Sequence, residues 1–169
     1  MYALKNAGYG YKKLLSERQF LKVQQRAREL HKGTNLTSIF VKEQMVMYKT
    51  RSSEYADNGV TYTQRLYIED ASFENVINAK NFKELEKIML NGGLKVHCNC
   101  PAFHFWGYKY KAWKLGYGLE KELRRPVIRN PFSKGYVCKH LYLVLETFPF
   151  IAKTLASKFG QYWEKELKK

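Results

Sequence analysis

Long apolar runs are missing from this chain. None reaches the ~18 residues that a bilayer-spanning helix needs, so no membrane partner is expected. The opening stretch from Met1 to Leu15 is rich in Tyr and Lys and has no apolar core of the kind that marks a secretory leader. Cysteine is scarce too. Three thiols cannot all pair within one chain, which argues against a disulfide framework and for a reducing, intracellular setting. Acidic residues number 15 against 30 Lys and Arg, and they are not arranged as a two-metal nuclease centre requires. A Gly-rich phosphate cradle and the His-Glu helix motif of metalloproteases are both absent. So are internal repeats and low-complexity tracts. These absences leave no small-molecule substrate in view and favour a protein that binds over one that catalyses.

What remains is a basic, aromatic chain. Hydrophobic residues make up 45% of its 169 positions and aromatics 15%, enough apolar surface to bury a core in one domain. The formal net charge is +15. Such a surplus favours a polyanionic partner, with nucleic acid first and an acidic protein surface next.

Periodicity sketches the elements. Ser16 and Gln19 have capping-box spacing, and Phe20, Val23, Ala27 and Leu30 share a face, which predicts a helix over Ser16–Leu30 stopped at Gly33. Two β-rich runs, Ser38–Arg51 and Val60–Glu69, flank the turn signal Asp57-Asn58-Gly59 and predict a hairpin. In the second run Tyr62, Gln64, Leu66 and Ile68 fall on one side. Asn81 and Glu84 open a short helix over Phe82–Leu90, ended by Asn91-Gly92-Gly93. Leu94–His97 reads as a third strand. The rest, from Lys139 onward, reads as helix interrupted at Pro149, with Leu141, Val144, Leu145, Ile151, Leu155, Phe159 and Tyr162 as its apolar stripe. The acidic pair Glu69-Asp70 reads as a solvated strand end.

The chemistry sits in one pattern: Cys98-Asn99-Cys100, then Cys138-Lys139-His140. Three thiolates and one imidazole make a complete tetrahedral shell for Zn2+. One residue between paired ligands is tighter than the usual two to four, and it suits a strand end or a helix start. Pro101 stiffens the exit from the first pair, and His140 falls in the first turn of the final helix. The alternative is three ordinary buried thiols and a core histidine. Every thiol in the chain lies in the motif, which favours the metal. A redox pair would want two intervening residues at a helix N-terminus. His97 and His104 are substitute ligands. Four protein ligands leave no position for water or substrate, so the expected metal is structural.

The arrangement, with its last His opening the apolar run Leu141-Tyr142-Leu143-Val144-Leu145, resembles the SWIM-type zinc finger. The wider context, Cys98-Asn99-Cys100-Pro101-Ala102-Phe103 with Arg129-Asn130-Pro131 and Gly135 to Leu141, is similar to SWIM-like proteins of tailed bacteriophages. The resemblance covers about a third of the chain. It implies a β-hairpin and a helix sharing one zinc, ligated by Cys98, Cys100, Cys138 and His140, and a role in binding DNA or protein. The segment between the ligand pairs is longer than most such fingers carry, which gives it room for a structure and a task of its own.

In that insert Phe105, Trp106, Tyr108, Tyr110, Trp113 and Tyr117 are interleaved with lysines. The basic candidates for nucleic-acid contact are Lys109, Lys111, Lys114, Lys121, Arg124, Arg125, Arg129 and Lys134. Trp106, Tyr110, Trp113 and Tyr117 recur at helical spacing, and burial along one face is favoured for them over base stacking. Arg124-Arg125-Pro126 and Arg129-Asn130-Pro131 predict an extended strap.

Together these readings give an α+β fold: a small antiparallel β-sheet with N-terminal and C-terminal helices and a zinc-finger-like metal site. The organisation is an N-terminal helical segment at 1–36, a SWIM-like domain at 37–148 with the insert at 101–137, and a C-terminal helix at 149–169. The expected function is non-enzymatic binding of nucleic acid, DNA ahead of RNA, by a phage-encoded protein in the host cytoplasm. The alternative is a structural component of a phage particle (capsid, portal or neck-associated), located in the virion, whose zinc site stabilises a protein–protein interface.

Overall fold

The structure is a computed structural model and describes residues 10–15, 25, 36–51 and 60–169. Within these residues the elements run α1 (Tyr11–Leu14), β1 (Leu36–Lys42), β2 (Met45–Arg51), β3 (Thr61–Ile68), α2 (Phe73–Ile77) and α3 (Phe82–Asn91). They continue with β4 (Leu94–Cys98), α4 (Pro101–Phe105), α5 (Tyr108–Lys114) and α6 (Lys139–Leu167). The strands form one antiparallel meander in the order β1-β2-β3-β4. An α+β fold is what the sequence led us to expect. The expected helix over Ser16–Leu30 lies, apart from Gln25, outside the described residues, as does the turn at Asp57-Asn58-Gly59.

Three local readings need correction. The run Ser38–Arg51 is not one strand but most of a hairpin, with Glu43 at φ 52° in the turn. No Gly or Pro announces that turn. The Gln44 side chain holds it instead, donating to the Glu69 carbonyl at 2.6 Å and accepting from the Tyr67 hydroxyl at 2.7 Å. These bonds to β3 and its end offset the cost of a left-handed Glu. The second correction is α6, which runs unbroken through Pro149. A mid-helix proline costs ~3 kcal/mol. Leu141, Leu145, Phe148, Leu155 and Phe159 are all fully buried and contribute about 1.5–3 kcal/mol each, so burial wins. The third lies in the insert, where Gly107 divides the expected helix in two. The helix α2 was not anticipated, although Ser72 caps it by accepting from the Asn75 amide.

One face of the sheet is buried with the period of two that strands impose. Val46, Tyr48 and Thr50 of β2, Gln64, Leu66 and Ile68 of β3, and Leu94, Val96 and Cys98 of β4 all point inward. Helix α6 lies against this sheet and also meets α1, α2 and α3. Tyr11 of α1 packs its ring 5.7 Å from that of Phe148, and Trp163 donates to the Ala71 carbonyl at 3.3 Å. The sheet's inner face is apolar at one end. At the other it turns polar, where Tyr48, Gln64 and Cys98 form a row across three strands.

Candidate metal centre and the basic insert

The polar end of the sheet is where the four expected ligands meet. Cys98 is the last residue of β4. Cys100 caps α4, with Pro101 in the first turn where its missing N–H costs nothing. Cys138 caps α6, and His140 lies in that helix's first turn. All four side chains are buried, and their candidate ligand atoms lie within 4.8 Å of one another. Ligands ~2.3 Å from a common centre in a tetrahedron would stand about 3.8 Å apart. The group is therefore compatible with a metal ion site.

Neighbouring bonds explain why a one-residue spacing works here. The Asn99 side-chain oxygen accepts from the Thr63 amide at 2.8 Å, and the Asn99 main-chain amide donates to the Thr63 carbonyl at 3.1 Å. These bonds prolong the β3–β4 ladder past Cys98 and fix the knuckle that turns Cys100 back toward it. The Phe103 amide donates to Cys100 Sγ at 3.4 Å, and Gln64 Nε2 donates to Cys98 Sγ at 3.6 Å. Gln64 is buried and also donates to Thr50 Oγ1 at 2.9 Å. The Tyr62 ring packs on His140 at 4.8 Å.

The electrostatics of the cluster suit a thiolate-binding cation. Hydrogen bonds from the Cys138 and Cys98 side chains hold the Cys100 thiol well below its ordinary range, and the nearby His140 adds to this. Burial pushes Cys98 and Cys138 up. Neither ring nitrogen of the buried His140 has a hydrogen-bond partner. Buried polar atoms are seldom left so, and the place of this imidazole beside three sulfurs is compatible with a metal ion. The second-choice ligands stand apart. His97 Nδ1 faces Glu120 at 3.4 Å, and burial, opposed by Glu120, lowers its pKa to about 4. The His104 ring lies 5.6 Å from that of His97.

The insert departs from expectation in its helices. Gly107 takes φ 75° and breaks the segment into α4 and α5, so Trp106, Tyr110, Trp113 and Tyr117 do not share one helical face. Tyr117 is buried and Trp113 exposed. The buried positions are instead Phe103, Tyr108, Ala112 and Tyr117. The glycine is required twice over, because a Cβ at Gly107 would also collide with the Pro126 ring. Past α5 the chain lies beside β4: the Val96 amide donates to the Tyr117 carbonyl at 2.7 Å and the Leu119 amide to the Val96 carbonyl at 3.2 Å. Residues 120–137 form a strap that holds no helix or strand. The extended course expected at Arg124-Arg125-Pro126 and Arg129-Asn130-Pro131 does not continue through the second stretch, which bends and turns with Asn130 at φ 61°.

The eight basic candidates divide into two sets. Lys109 pairs with Glu120 at 2.9 Å, and Arg65 pairs with the same carboxylate. Lys111 donates to the Ser133 carbonyl at 2.9 Å and sits 4.2 Å from the Tyr136 ring centre. Arg124 makes two hydrogen bonds to the Glu122 carboxylate, at 2.9 and 2.7 Å. Lys109 and Lys111 tie separate parts of the insert together, whereas Arg124, itself exposed, among the described residues bonds only Glu122, two residues away. Lys114, Lys121, Arg125, Arg129 and Lys134 are exposed. Gln64 and Asn99 were missed by sequence reasoning. Asn99 stood inside the motif, whereas Gln64 could be found only once the register set it opposite Cys98.

Among the described residues no helix is long and apolar enough to cross a membrane. No family profile, curated protein or solved structure matches this chain.

Proposed function

We propose that the chain is a non-enzymatic, zinc-binding protein with a SWIM-like finger that binds nucleic acid, DNA in first place. The observation that carries the metal is the buried Cys98, Cys100, Cys138 and His140 group. Three soft thiolates and an imidazole favour zinc over the harder divalent cations. Four protein ligands fill its shell, so the ion's contribution is to join the end of β4 to the start of α6. The nucleic-acid reading is supported by the net charge of +15 and by the exposed cations Lys114, Lys121, Arg125, Arg129 and Lys134. Electrophoretic shifts with single- and double-stranded DNA across a salt series test it. Affinity should fall steeply with salt, by roughly 0.7–0.9 logarithmic units per decade for each phosphate neutralised. Binding that ignores salt, or no binding to any DNA or RNA, removes the reading.

A second reading is that the chain is a structural component of a phage particle whose zinc corner stabilises a protein–protein interface. Val127, Ile128 and Phe132 favour it, because they are exposed by 79, 92 and 80% on a strap that nothing in a nucleic-acid surface requires to be apolar. Mass spectrometry of purified particles tests that reading.

A further inference from the structure

The insert carries an apolar groove outside the metal corner. Phe105, the last residue of α4, meets Val127, Ile128 and Arg129 around a groove of about 500 Å³. Its shape is held from both sides of the Val127–Arg129 segment. Pro126 is seated on Gly107. The Asn130 amide donates to the Trp106 carbonyl at 3.1 Å and the Lys134 carbonyl at 2.9 Å, while its oxygen accepts from the Lys134 amide at 2.8 Å. A groove already shaped loses little entropy when it is filled. Clustered exposed apolar side chains of this kind mark contact surfaces.

We propose that this groove docks an acidic segment of a partner protein. One aliphatic or aromatic side chain of the segment seats among Phe105, Val127 and Ile128, and neighbouring carboxylates face Arg129 and Arg125. Charge complementarity selects the occupant. The strap's two acids are committed, Glu120 to Lys109 and to Arg65 of β3 and Glu122 to Arg124. Arg129, in contrast, lines the groove, and Arg125, which donates to the Pro131 carbonyl at 3.5 Å, stands exposed beside Phe105. The groove therefore lies in a positive field with an apolar floor. Nucleic acid would use the field and could stack one base on Phe105, but Val127 and Ile128, which make up the rest of the apolar lining, offer no ring for a second. A bilayer is favoured by amphipathic helices, and this strap is irregular, so its backbone groups would lose water without gaining partners. The inference deepens the protein–protein reading and stands without the nucleic-acid one.

The test uses the full-length, metal-loaded protein and a short dye-labelled peptide of Glu, Asp and Leu, read by fluorescence anisotropy. Its control is the same peptide with Ser for Leu. The Leu peptide should bind at least roughly tenfold tighter, the effect of burying one such side chain. Ile128→Ser, at an exposed position that folding does not need, should abolish that difference and leave the DNA shift unchanged. Arg129→Glu should weaken both peptides. Equal affinity for the two peptides, or an Ile128→Ser protein that still prefers Leu, overturns the proposal. So does an Ile128-dependent binding to phosphatidylserine vesicles or to a thymidine oligomer in the absence of peptide binding. Loss of the DNA shift with peptide binding retained would sink the nucleic-acid reading alone.

Discussion

The cysteine–histidine corner and the strap that loops out between its two halves are built on opposite terms. At the corner the three sulfurs and the imidazole are buried, and Cys98 and Cys100 accept from the Gln64 side chain and the Phe103 amide while the His140 nitrogens have no partner. On the strap Leu123, Val127, Ile128 and Phe132 face solvent alongside Lys121, Arg125, Arg129 and Lys134. The corner closes a long loop whose first part buries Phe103, Tyr108, Ala112 and Tyr117 and whose strap turns most of its apolar and basic side chains outward. A tight closure is what lets such a segment hold a shape while burying so little. Side chains turned inward report on stability, and those turned outward on partners.

That contrast can be broken most forcefully at Cys138. Structural zinc supplies on the order of 10–16 kcal/mol of apparent folding energy, against a net stability of about 5–15 kcal/mol for most domains. Cys138→Ser should cut a metal content near one zinc per chain, measured by elemental mass spectrometry, and collapse the thermal transition. A mutant that melts like the wild type would mean the corner holds without an ion. The strap should respond to different changes. Replacing Lys121, Arg129 and Lys134 together by Glu should lower the salt slope of DNA binding by about 0.9 for each phosphate that is no longer neutralised. Lys109→Gln and Lys111→Gln should leave that slope alone, because these lysines already serve Glu120 and the Ser133 carbonyl. Equal slopes for all variants would erase the division between committed and exposed cations.

The Cys98, Cys100, Cys138 and His140 cluster was legible because metal-binding potential is carried by residue type and spacing, and this chain places all its thiols in one pattern. Their convergence also made legible that sheet and final helix must touch. Much of the secondary structure was readable for the same reason: Asn81 caps α3 by a local bond, and β3 alternates inward and outward over its second half. The failures share a cause. The turn at Glu43 is stabilised by bonds from Gln44 to residues about 25 positions away, and α6 survives Pro149 through burial against strands far off in the chain. No local signal carries either effect.

Gln64 gives a finer way to sharpen the comparison. Partners of metal ligands typically govern affinity by 10–100-fold, so Gln64→Leu should weaken zinc binding by about that factor in competition with a chromophoric chelator, while DNA affinity stays put. An unchanged zinc affinity would reduce the bond to Cys98 to a packing detail. The smallest effect belongs to Glu122. Its carboxyl is pulled from an ordinary 4.5 to about 2 by the hydrogen bonds from Arg124. A depressed folded pKa adds stability that is complete above the ordinary value and is lost as pH falls from 4.5 towards 2. Glu122→Gln should lower the melting temperature slightly at neutral pH, and the gap should close across that acid window. A gap that persists below pH 2 would mean the side chain acts by shape and not by charge.

By itself the sequence determined the class of fold, the basic character and which three thiols and one imidazole would cluster, since periodicity, composition and donor chemistry are properties of residues taken in order. Tertiary structure alone decided which lysines are committed and which face solvent, where the aromatic residues of the insert come to rest, and that Gln64 stands behind Cys98. Those outcomes depend on strand register, on one left-handed glycine and on burial between distant segments, and such energies exist only once the chain has closed on itself.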